Sequence, residues 1–249
     1  MNQIYKVIVL PDIHVPAHDE KSMGAVMRYM KDHKWDEVVL LGDFMDFDCI
    51  SSHNKDNLRG VSGKTLEKDY IVGGELLDQL QAAASKAKFT LLEGNHCYRV
   101  ERFIDANPQL EGRVEMELGL QLIKRKIKWV RYWSKGEVYR IGKATFIHGT
   151  YTNQYHAKKH VESYDASVFY GHVHSFQSHT KIQKKGQPRI GQSLGCLCEL
   201  DQAYMRGRPS MWSHGFGVFY FREDGTFNHY PVMMVNHTFT SPEGKIYKG

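Results

Sequence analysis

The stretch LLEGNHC, residues 91–97, joins an apolar run to polar side chains at its end. The run KFTLLEGN (88–95) contains the neighbouring apolar residues that are typical of a strand buried on both faces. Asn95 and His96 follow Gly94 directly, at the point where such a strand would end. Both side chains can bind a metal ion or take part in hydrogen bonding and proton transfer, so the strand end indicates a functional site.

Four other strand-like segments end in the same way. In open α/β sheets the ligand site lies outside the carboxyl ends of the strands, so these polar residues are expected to converge on one surface. A single Asp or His beside a Gly is usually only a turn, but five such ends in one chain indicate shared chemistry. The residues at the five ends are Asp12 and His14, Asp43 and Asp46, Asn95 and His96, His148, and His172 and His174.

The order of strand and helix patterns predicts an α/β fold. The first half alternates strand-like runs with helical patterns over 21–33, 65–87 and 108–126. After about residue 127 the chain contains short strand-like segments separated by turns, with one helical pattern over 153–165. Two sheets packed face to face, with helices outside, would accommodate both halves.

The residue types at the strand ends suit two adjacent divalent metal ions. Carboxylate and imidazole groups are ligands for manganese, iron, zinc and nickel. A carboxylate can bridge two ions, and an amide oxygen is a neutral ligand. Two ions about 3.5–4 Å apart can hold a bridging hydroxide at neutral pH and polarise a phosphoryl group.

The composition limits the class of protein. The chain has 249 residues, no run of 18 apolar residues, and no signal-peptide pattern at its start. These features predict a cytoplasmic protein without a membrane partner, and the length fits a single domain over residues 1–249. Four cysteines are too few for a disulfide scaffold, so reduced thiols are expected. The net charge of +5 permits a nucleic-acid or phosphorylated partner without requiring one.

The polar blocks resemble, in chain order, the motifs of the calcineurin-like metallophosphoesterases. The blocks are PDIH (11–14), GDFMD (42–46), GNH (94–96), HG (148–149) and GHVH (171–174). The compact size and the GNHxxR pattern are similar to the stand-alone members found in bacteria and phages. The resemblance implies a four-layer α/β/β/α sandwich, two divalent metal ions and hydrolysis of phosphate esters.

The resemblance also implies a role for each strand-end residue. His96 would not bind metal but would stabilise or protonate the leaving oxygen, and Asp46 would pair with it. Manganese is the expected metal, with iron, zinc, nickel and magnesium as alternatives. The implied ligands are Asp12, His14 and His174 for the first ion, Asn95, His148 and His172 for the second, and Asp43 as the bridge between them.

One position departs from the family pattern. Members often have Asp or Glu directly after the histidine of the GNH block, where this chain has Cys97. If Asp46 alone orients His96, the absence of a carboxylate at position 97 has little effect on turnover. If the family needs both carboxylates, turnover of this chain is lower. A small buried thiol is the simplest interpretation of Cys97, with a redox-sensing thiol as the alternative.

Candidate substrate contacts lie outside the motifs. Arg99, three residues after His96, is either a phosphate ligand or a surface helix residue. The loop-like segment 193–217 contains a set suited to a phosphate and a base or sugar ring, and its alternative role is a structural or oligomer contact. That set is Arg206, Arg208, Trp212 and His214.

Two further segments are candidates for the rim of the site. Residues 48–64 form a polar loop after the second motif block. The basic and aromatic stretch LIKRKIKWVRYWSK (122–135) is either a helix end with a half-exposed strand or a groove for a phosphate backbone.

The leading hypothesis is a metal-dependent phosphodiesterase or nuclease that acts on nucleotides or nucleic acid. A phosphomonoesterase for proteins or small molecules fits the motifs as well. GDFMDF lacks the Arg-Gly that follows this block in Ser/Thr protein phosphatases, which argues against a close relative of those enzymes. A catalytically inactive binding or scaffold protein is the third hypothesis, although every expected ligand position is filled.

Overall fold

The computed structural model of the chain describes residues 4–54, 56, 58–182, 188–202, 205 and 207–249. Strands and helices alternate in the first half and strands predominate in the second, as the sequence patterns predict. The prediction of one helix over 108–126 was wrong. This stretch has a single turn of α-helix at Met116–Gly119, because Gly112 and Gln121 adopt positive φ angles of 77° and 52° that interrupt a helical backbone.

Four parallel strands form most of the first sheet. Because they are parallel, their carboxyl ends share one edge of the sheet. Two antiparallel strands from the C-terminal part of the chain extend the sheet beyond its first strand. In order across the sheet the strands are β11 (Phe227–Met233), β10 (Gly215–Phe221), β1 (Tyr5–Leu10), β2 (Glu37–Leu40), β3 (Lys88–Leu92) and β4 (Ile127–Val130).

The second sheet is built from the middle of the chain. Its central strands are parallel, and an antiparallel strand lies at each edge. In order across the sheet the strands are β5 (Tyr139–Ile141), β6 (Ala144–Ile147), β7 (Ser167–Tyr170), β9 (Arg189–Leu194) and β8 (Phe176–Lys181).

Successive side chains along each strand point to opposite faces of the sheet, which divides the core into two layers. In β1, Val7 and Val9 pack against the second sheet, whereas Ile8 and Leu10 pack on the opposite face. Aromatic residues fill the space between the sheets; the Phe219 ring centroid lies 5.1 Å from that of Phe146 and 4.7 Å from that of Phe169. Both faces of β1 are therefore buried, which explains its nearly continuous apolar sequence.

Helices cover the outer faces of the two sheets. On the first sheet α1 and α2 bury Val26 and Leu77 against β1 and β2 residues such as Leu40. On the second sheet α6 packs against β7, β8 and β9. The chain thus forms a four-layer α/β/β/α sandwich, as expected. The α-helices are α1 (Glu20–Asp32), α2 (Leu66–Ala83), α3 (Arg99–Ala106), α4 (Met116–Gly119), α5 (Tyr132–Lys135) and α6 (His156–Tyr164).

A small hairpin near the C-terminus closes over α1. Strands β12 (Thr238–Thr240) and β13 (Ile246–Lys248) pair with each other and pack on α1, where the Tyr29 ring centroid lies 5.1 Å from that of Tyr247. Across the residues that the structure describes, none of the helices combines the length and apolar character needed to cross a membrane. Single turns of 3₁₀ helix occur at Asp48–Ile50, Ser52–Asn54, Leu58–Val61 and Pro108–Leu110.

Candidate metal centre

The loops after β1 and β7 form the first group of possible metal ligands. His174 Nε2 lies 3.2 Å from Asp12 Oδ1 and 3.1 Å from His14 Nε2. Asp12 is fully buried, and its carboxylate accepts the backbone N–H of His172 at 2.9–3.0 Å. The three side chains expected to hold a first ion are therefore adjacent, although His174 follows His14 by 160 positions in the chain.

The loops after β2, β3 and β6 form the second group. His148 Nε2 lies 3.1 Å from Asp43 Oδ2 and 3.0 Å from Asn95 Oδ1. The His172 ring centroid lies 5.0 Å from that of His148, and ligand atoms of Asp43, His148 and His172 lie within 4.8 Å of one another. This group contains all the residues expected around a second ion.

Asp43 lies between the two groups. Its Oδ2 atom is 3.1 Å from His148 Nε2 in the second group and 3.8 Å from His14 Nε2 in the first. Its other oxygen accepts the backbone N–H of His96 at 2.7 Å, which holds the carboxylate in this orientation. One oxygen of Asp43 can therefore contact cations on both sides.

The donor atoms fit divalent metal ions. His14 Nδ1 lies 3.1 Å from the Asp46 carboxylate and donates to it, so Nε2 faces His174 Nε2 and the Asp12 carboxylate. When these rings are unprotonated at Nε2, both nitrogens and the carboxylate can bind one divalent cation between them. Gly94 leaves room for the Asp43 carboxylate, with which a Cβ atom at this position would collide.

The charges around the centre favour a cation. Burial opposes ionisation of Asp43, but His148 and the other histidines around it hold its pKa well below the usual value. Burial would lower the pKa of His174, yet Asp12 raises it to about 9. Burial together with the charge of His148 lowers the pKa of His172 to about 4. The Asp43 carboxylate thus remains ionised inside the protein, as an anionic metal ligand must be.

The backbone at the centre is locally strained. Residues other than glycine rarely adopt positive φ angles, and such conformations persist where the surrounding structure enforces them, often at functional sites. Five of the expected ligands have φ angles between 41° and 68°, namely Asp12, His14, Asp43, His172 and His174.

His96 lies at the open side of the centre. Its Nδ1 atom is 2.6 Å from Asp46 Oδ1, and its side chain is 22% exposed. Nδ1 donates to the carboxylate, and Nε2 lies 4.0 Å from Asp43 Oδ2 and 3.4 Å from the guanidinium of Arg99. Arg99 also donates to the backbone carbonyl of Asp46 at 2.6 Å. The contact between Asp46 and His96 has the geometry that orients an imidazole for proton transfer.

The other predicted substrate contacts separate in the structure. The Trp212 ring centroid lies 4.1 Å from that of His174, at the edge of the centre. His214 is 5% exposed and its Nε2 donates to the Cys198 carbonyl, so the prediction that it contacts substrate does not fit its buried position. Within the described part of the chain, Arg208 is exposed but lines neither cavity beside His96. Arg206 lies outside the described residues.

Sequence reasoning did not single out Trp133. Its ring centroid lies 5.5 Å from that of His172 and 5.9 Å from that of His148. Glu93, in the strand-end stretch LLEGNHC, accepts bonds from Arg131 Nε at 3.2 Å and from the Ser134 backbone and hydroxyl at 2.7 and 2.6 Å. The buried carboxylate thereby anchors the turn that carries Trp133. The only signal in the sequence was the aromatic content of residues 122–135.

Cys97 belongs to the buried core of the first sheet and its helices. It is 2% exposed, and burial raises the pKa of its thiol to about 12. We expect Cys97→Asp to lower the free energy of unfolding by about 2–4 kcal/mol, because the variant buries a carboxyl group without a partner. Urea unfolding of Cys97→Asp and of the matched control Cys97→Ser measures this difference. Higher turnover of Cys97→Asp at an unchanged free energy of unfolding would contradict this prediction.

Comparisons with known proteins add distant similarities. No family model matches the chain. The Gene 54 proteins of Mycobacterium phages D29 and L5 are each 23% identical to it, over 228 and 229 residues that cover 86% of this chain and 88% of the phage protein. Similar solved structures include a single mutant of Vps29 from Entamoeba histolytica, with 14% identity, a TM-score of 0.40 and coverage of 92% and 99% of the two chains. Vacuolar Protein Sorting 29 from Cryptosporidium parvum has 13% identity, a TM-score of 0.44 and coverage of 93% and 97%. At these similarities the function follows from the chain's own residues.

Proposed function

We propose that this chain is a dinuclear metal-dependent phosphodiesterase that hydrolyses phosphodiester bonds of nucleotides or nucleic acid. The observation that carries the proposal is the position of Asp43 Oδ2, 3.8 Å from His14 Nε2 in one ligand group and 3.1 Å from His148 Nε2 in the other. A carboxylate shared in this way keeps two ions close together. Manganese is the proposed metal, because oxygen and imidazole ligands accept it.

The side chains around the ions supply the remaining chemistry. When bound, two divalent ions activate a water molecule and stabilise the charge on the phosphoryl oxygens. His96 would give a proton to the leaving oxygen, and Asp46 holds the imidazole with Nε2 toward the cleft through its 2.6 Å contact to Nδ1. Arg99, beside His96 Nε2, would bind a phosphate oxygen.

Two cavities beside His96 favour a diester over a monoester. One has a volume of about 800 Å³ and a polar lining that includes Asp48 and Lys64. The other has a volume of about 730 Å³ and a lining that includes Arg102 and Trp133. His96 and Arg99 line both cavities, so a phosphate at this point would have space for a substituent on each side.

The lining of the second cavity suits a nucleobase. Aromatic side chains stack on bases of any sequence, and the cationic Arg102 adds attraction for a phosphate backbone. Residues 50–54 of the polar loop that follows the second motif block line the same cavity as Trp133. We propose this part of the loop as one rim of the site.

An activity panel tests the proposal. Protein reconstituted with Mn²⁺ is offered p-nitrophenyl phosphate, bis-p-nitrophenyl phosphate, 2′,3′-cyclic nucleotides, and single- and double-stranded DNA. Asp43→Ala is the inactive comparison, and Asp105→Ala, which removes an exposed carboxylate on α3, is the matched control. Diester cleavage that is absent only in Asp43→Ala would support the proposal.

The alternatives predict other outcomes of the same panel. Cleavage of p-nitrophenyl phosphate alone would indicate a phosphomonoesterase for proteins or small molecules. Absence of hydrolysis of every substrate, in a protein that binds no metal, would indicate a binding or scaffold protein.

We expect Trp133→Ala to raise KM for nucleotide diesters by about tenfold, because base stacking on an aromatic ring contributes about 1–3 kcal/mol. Trp133→Phe should retain most of the affinity, since it keeps an aromatic face. Steady-state kinetics on a 2′,3′-cyclic nucleotide measure the effect, and metal analysis checks that the ligand groups remain intact. Equal KM values for the wild type and Trp133→Ala would exclude stacking on this ring.

A further inference from the structure

A second cluster of metal-binding side chains lies at the N-terminus of α1. Asp19 caps this helix, His214 precedes β10, and His237 precedes β12. His237 Nδ1 lies 2.9 Å from Asp19 Oδ1, and the hydroxyl of Ser22 lies 3.0 Å from His214 Nδ1 and 3.1 Å from His237 Nδ1. The cluster joins three segments that are far apart in the chain, and the catalytic proposal uses none of these residues.

The hydrogen bonds show which nitrogen of His214 carries the proton. Its Nε2 lies 2.8 Å from the carbonyl oxygen of Cys198, which can only accept, so Nε2 is the donor. Burial lowers the pKa of His214, which favours the neutral ring with a single proton. Nδ1 therefore presents its lone pair to the cluster. A histidine that donates one ring N–H to a carbonyl and directs the other nitrogen at a shared point is typical of a metal ligand.

His237 is directed at the same point by a two-residue hairpin turn, in which Val235 and Thr238 exchange backbone hydrogen bonds at 2.9 and 3.0 Å. Asn236 and His237 have φ angles of 48° and 57°, in the left-handed region that residues other than glycine seldom adopt. The amide of Gly249 donates to the His237 carbonyl at 2.8 Å, which secures the turn from the other side. A turn of this type requires positive φ at both central residues, and it fixes the direction in which the His237 side chain leaves the backbone.

We propose that Asp19, His214 and His237 form a third cation site, with zinc as the ion. One ligand atom from each side chain lies within 4.8 Å of the others. Tetrahedral zinc with bonds of about 2.0–2.1 Å places ligand atoms about 3.4 Å apart, so side-chain shifts of about 1 Å complete the site. The His237 side chain is 33% exposed, which gives water access as a fourth ligand.

Zinc at this position would be structural. It would join the N-terminus of α1 to the β12–β13 hairpin and to the residue before β10. Two imidazoles and one carboxylate match the ligand preference of zinc, and Ser22 is close enough to hydrogen-bond to the ligands. The site lies outside the dinuclear centre, so zinc binding here does not depend on the proposed catalytic function.

Metal analysis of four proteins tests this site. Wild type, His237→Asn, Asp43→Ala and Asp43→Ala/His237→Asn are saturated with zinc, freed of excess ion, and assayed for bound zinc per chain. His237→Asn should bind one equivalent less than wild type. Asp43→Ala should retain about one equivalent, which the double variant loses. His179→Asn, which changes a histidine on β8, is the matched control and should bind as much zinc as wild type.

Thermal unfolding gives a second readout of the site. In the Asp43→Ala background, zinc at 100 times its Kd should raise Tm by about 5 °C or more, and His237→Asn should remove this increase. Equal zinc content with and without His237, or an equal Tm increase in both proteins, would overturn the proposal and leave the cluster as a hydrogen-bond network. Absence of diesterase activity in the wild type, with the zinc at Asp19, His214 and His237 still bound, would overturn only the catalytic proposal.

Discussion

Replacing Asp43 with alanine should remove metal binding at the dinuclear centre and phosphoesterase activity together. The variant loses the only described side chain with one oxygen close to both ligand groups, at 3.8 Å from His14 Nε2 and 3.1 Å from His148 Nε2. Loss of several kcal/mol of transition-state stabilisation corresponds to a fall in turnover of at least about 10³-fold. Metal analysis and initial rates on bis-p-nitrophenyl phosphate measure both effects in the same preparation.

The control for this experiment separates loss of charge from loss of the ligand. Asp105→Ala removes an exposed carboxylate on α3 and should retain metal and activity. Circular dichroism of Asp43→Ala checks that the sandwich remains folded. A variant that lost both ions and kept wild-type turnover would contradict the dinuclear mechanism.

His96→Ala should keep both metal ions and lose turnover on substrates with poor leaving groups. His96 lies at the open side of the centre, 4.0 Å from Asp43 Oδ2, and Asp46 binds its Nδ1. Loss of a general acid costs about 10²–10⁴-fold when the leaving oxygen needs a proton. A nitrophenolate leaves without protonation, so the rate on bis-p-nitrophenyl phosphate should fall far less than the rate on a cyclic nucleotide.

Asp46→Asn is the matched variant for His96. Asparagine keeps the size of the side chain but removes the charge that fixes the imidazole, so we expect a smaller loss with the same dependence on the leaving group. Equal losses on both substrates in His96→Ala would indicate that His96 positions the substrate rather than protonating the leaving oxygen. A large loss of metal in either variant would assign these residues to the metal centre itself.

Much of the candidate centre was predictable from local sequence. A strand buried on both faces needs continuous apolar residues, so the Asp, Asn and His that end such runs are visible without a structure. The rule that ligand sites lie at the carboxyl ends of strands then predicts that they converge. Asp12 and His174, 162 positions apart in the chain, lie 3.2 Å apart for this reason.

Residues outside the strand ends were harder to interpret. Trp212 and His214 are separated by one residue, yet their side chains have different surroundings. Trp212 contacts the His174 ring, whereas His214 is buried and donates to the Cys198 carbonyl. The alternation of side chains along an extended segment does not reveal which side faces the centre. The position of Trp133 beside the ligand groups could not be predicted from local sequence either, because it depends on the buried Glu93 that anchors its turn.

The sequence by itself determined the α/β class and the chemistry of the strand ends, because buried strands and metal ligands both leave local patterns. Only the tertiary structure decided that β10 and β11 complete the first sheet, since strand pairing between distant segments leaves no local pattern. The same holds for Asp19, His214 and His237, whose proximity depends on the hairpin closing over α1. Local sequence specifies which residues can bind an ion, and long-range packing specifies which of them share one.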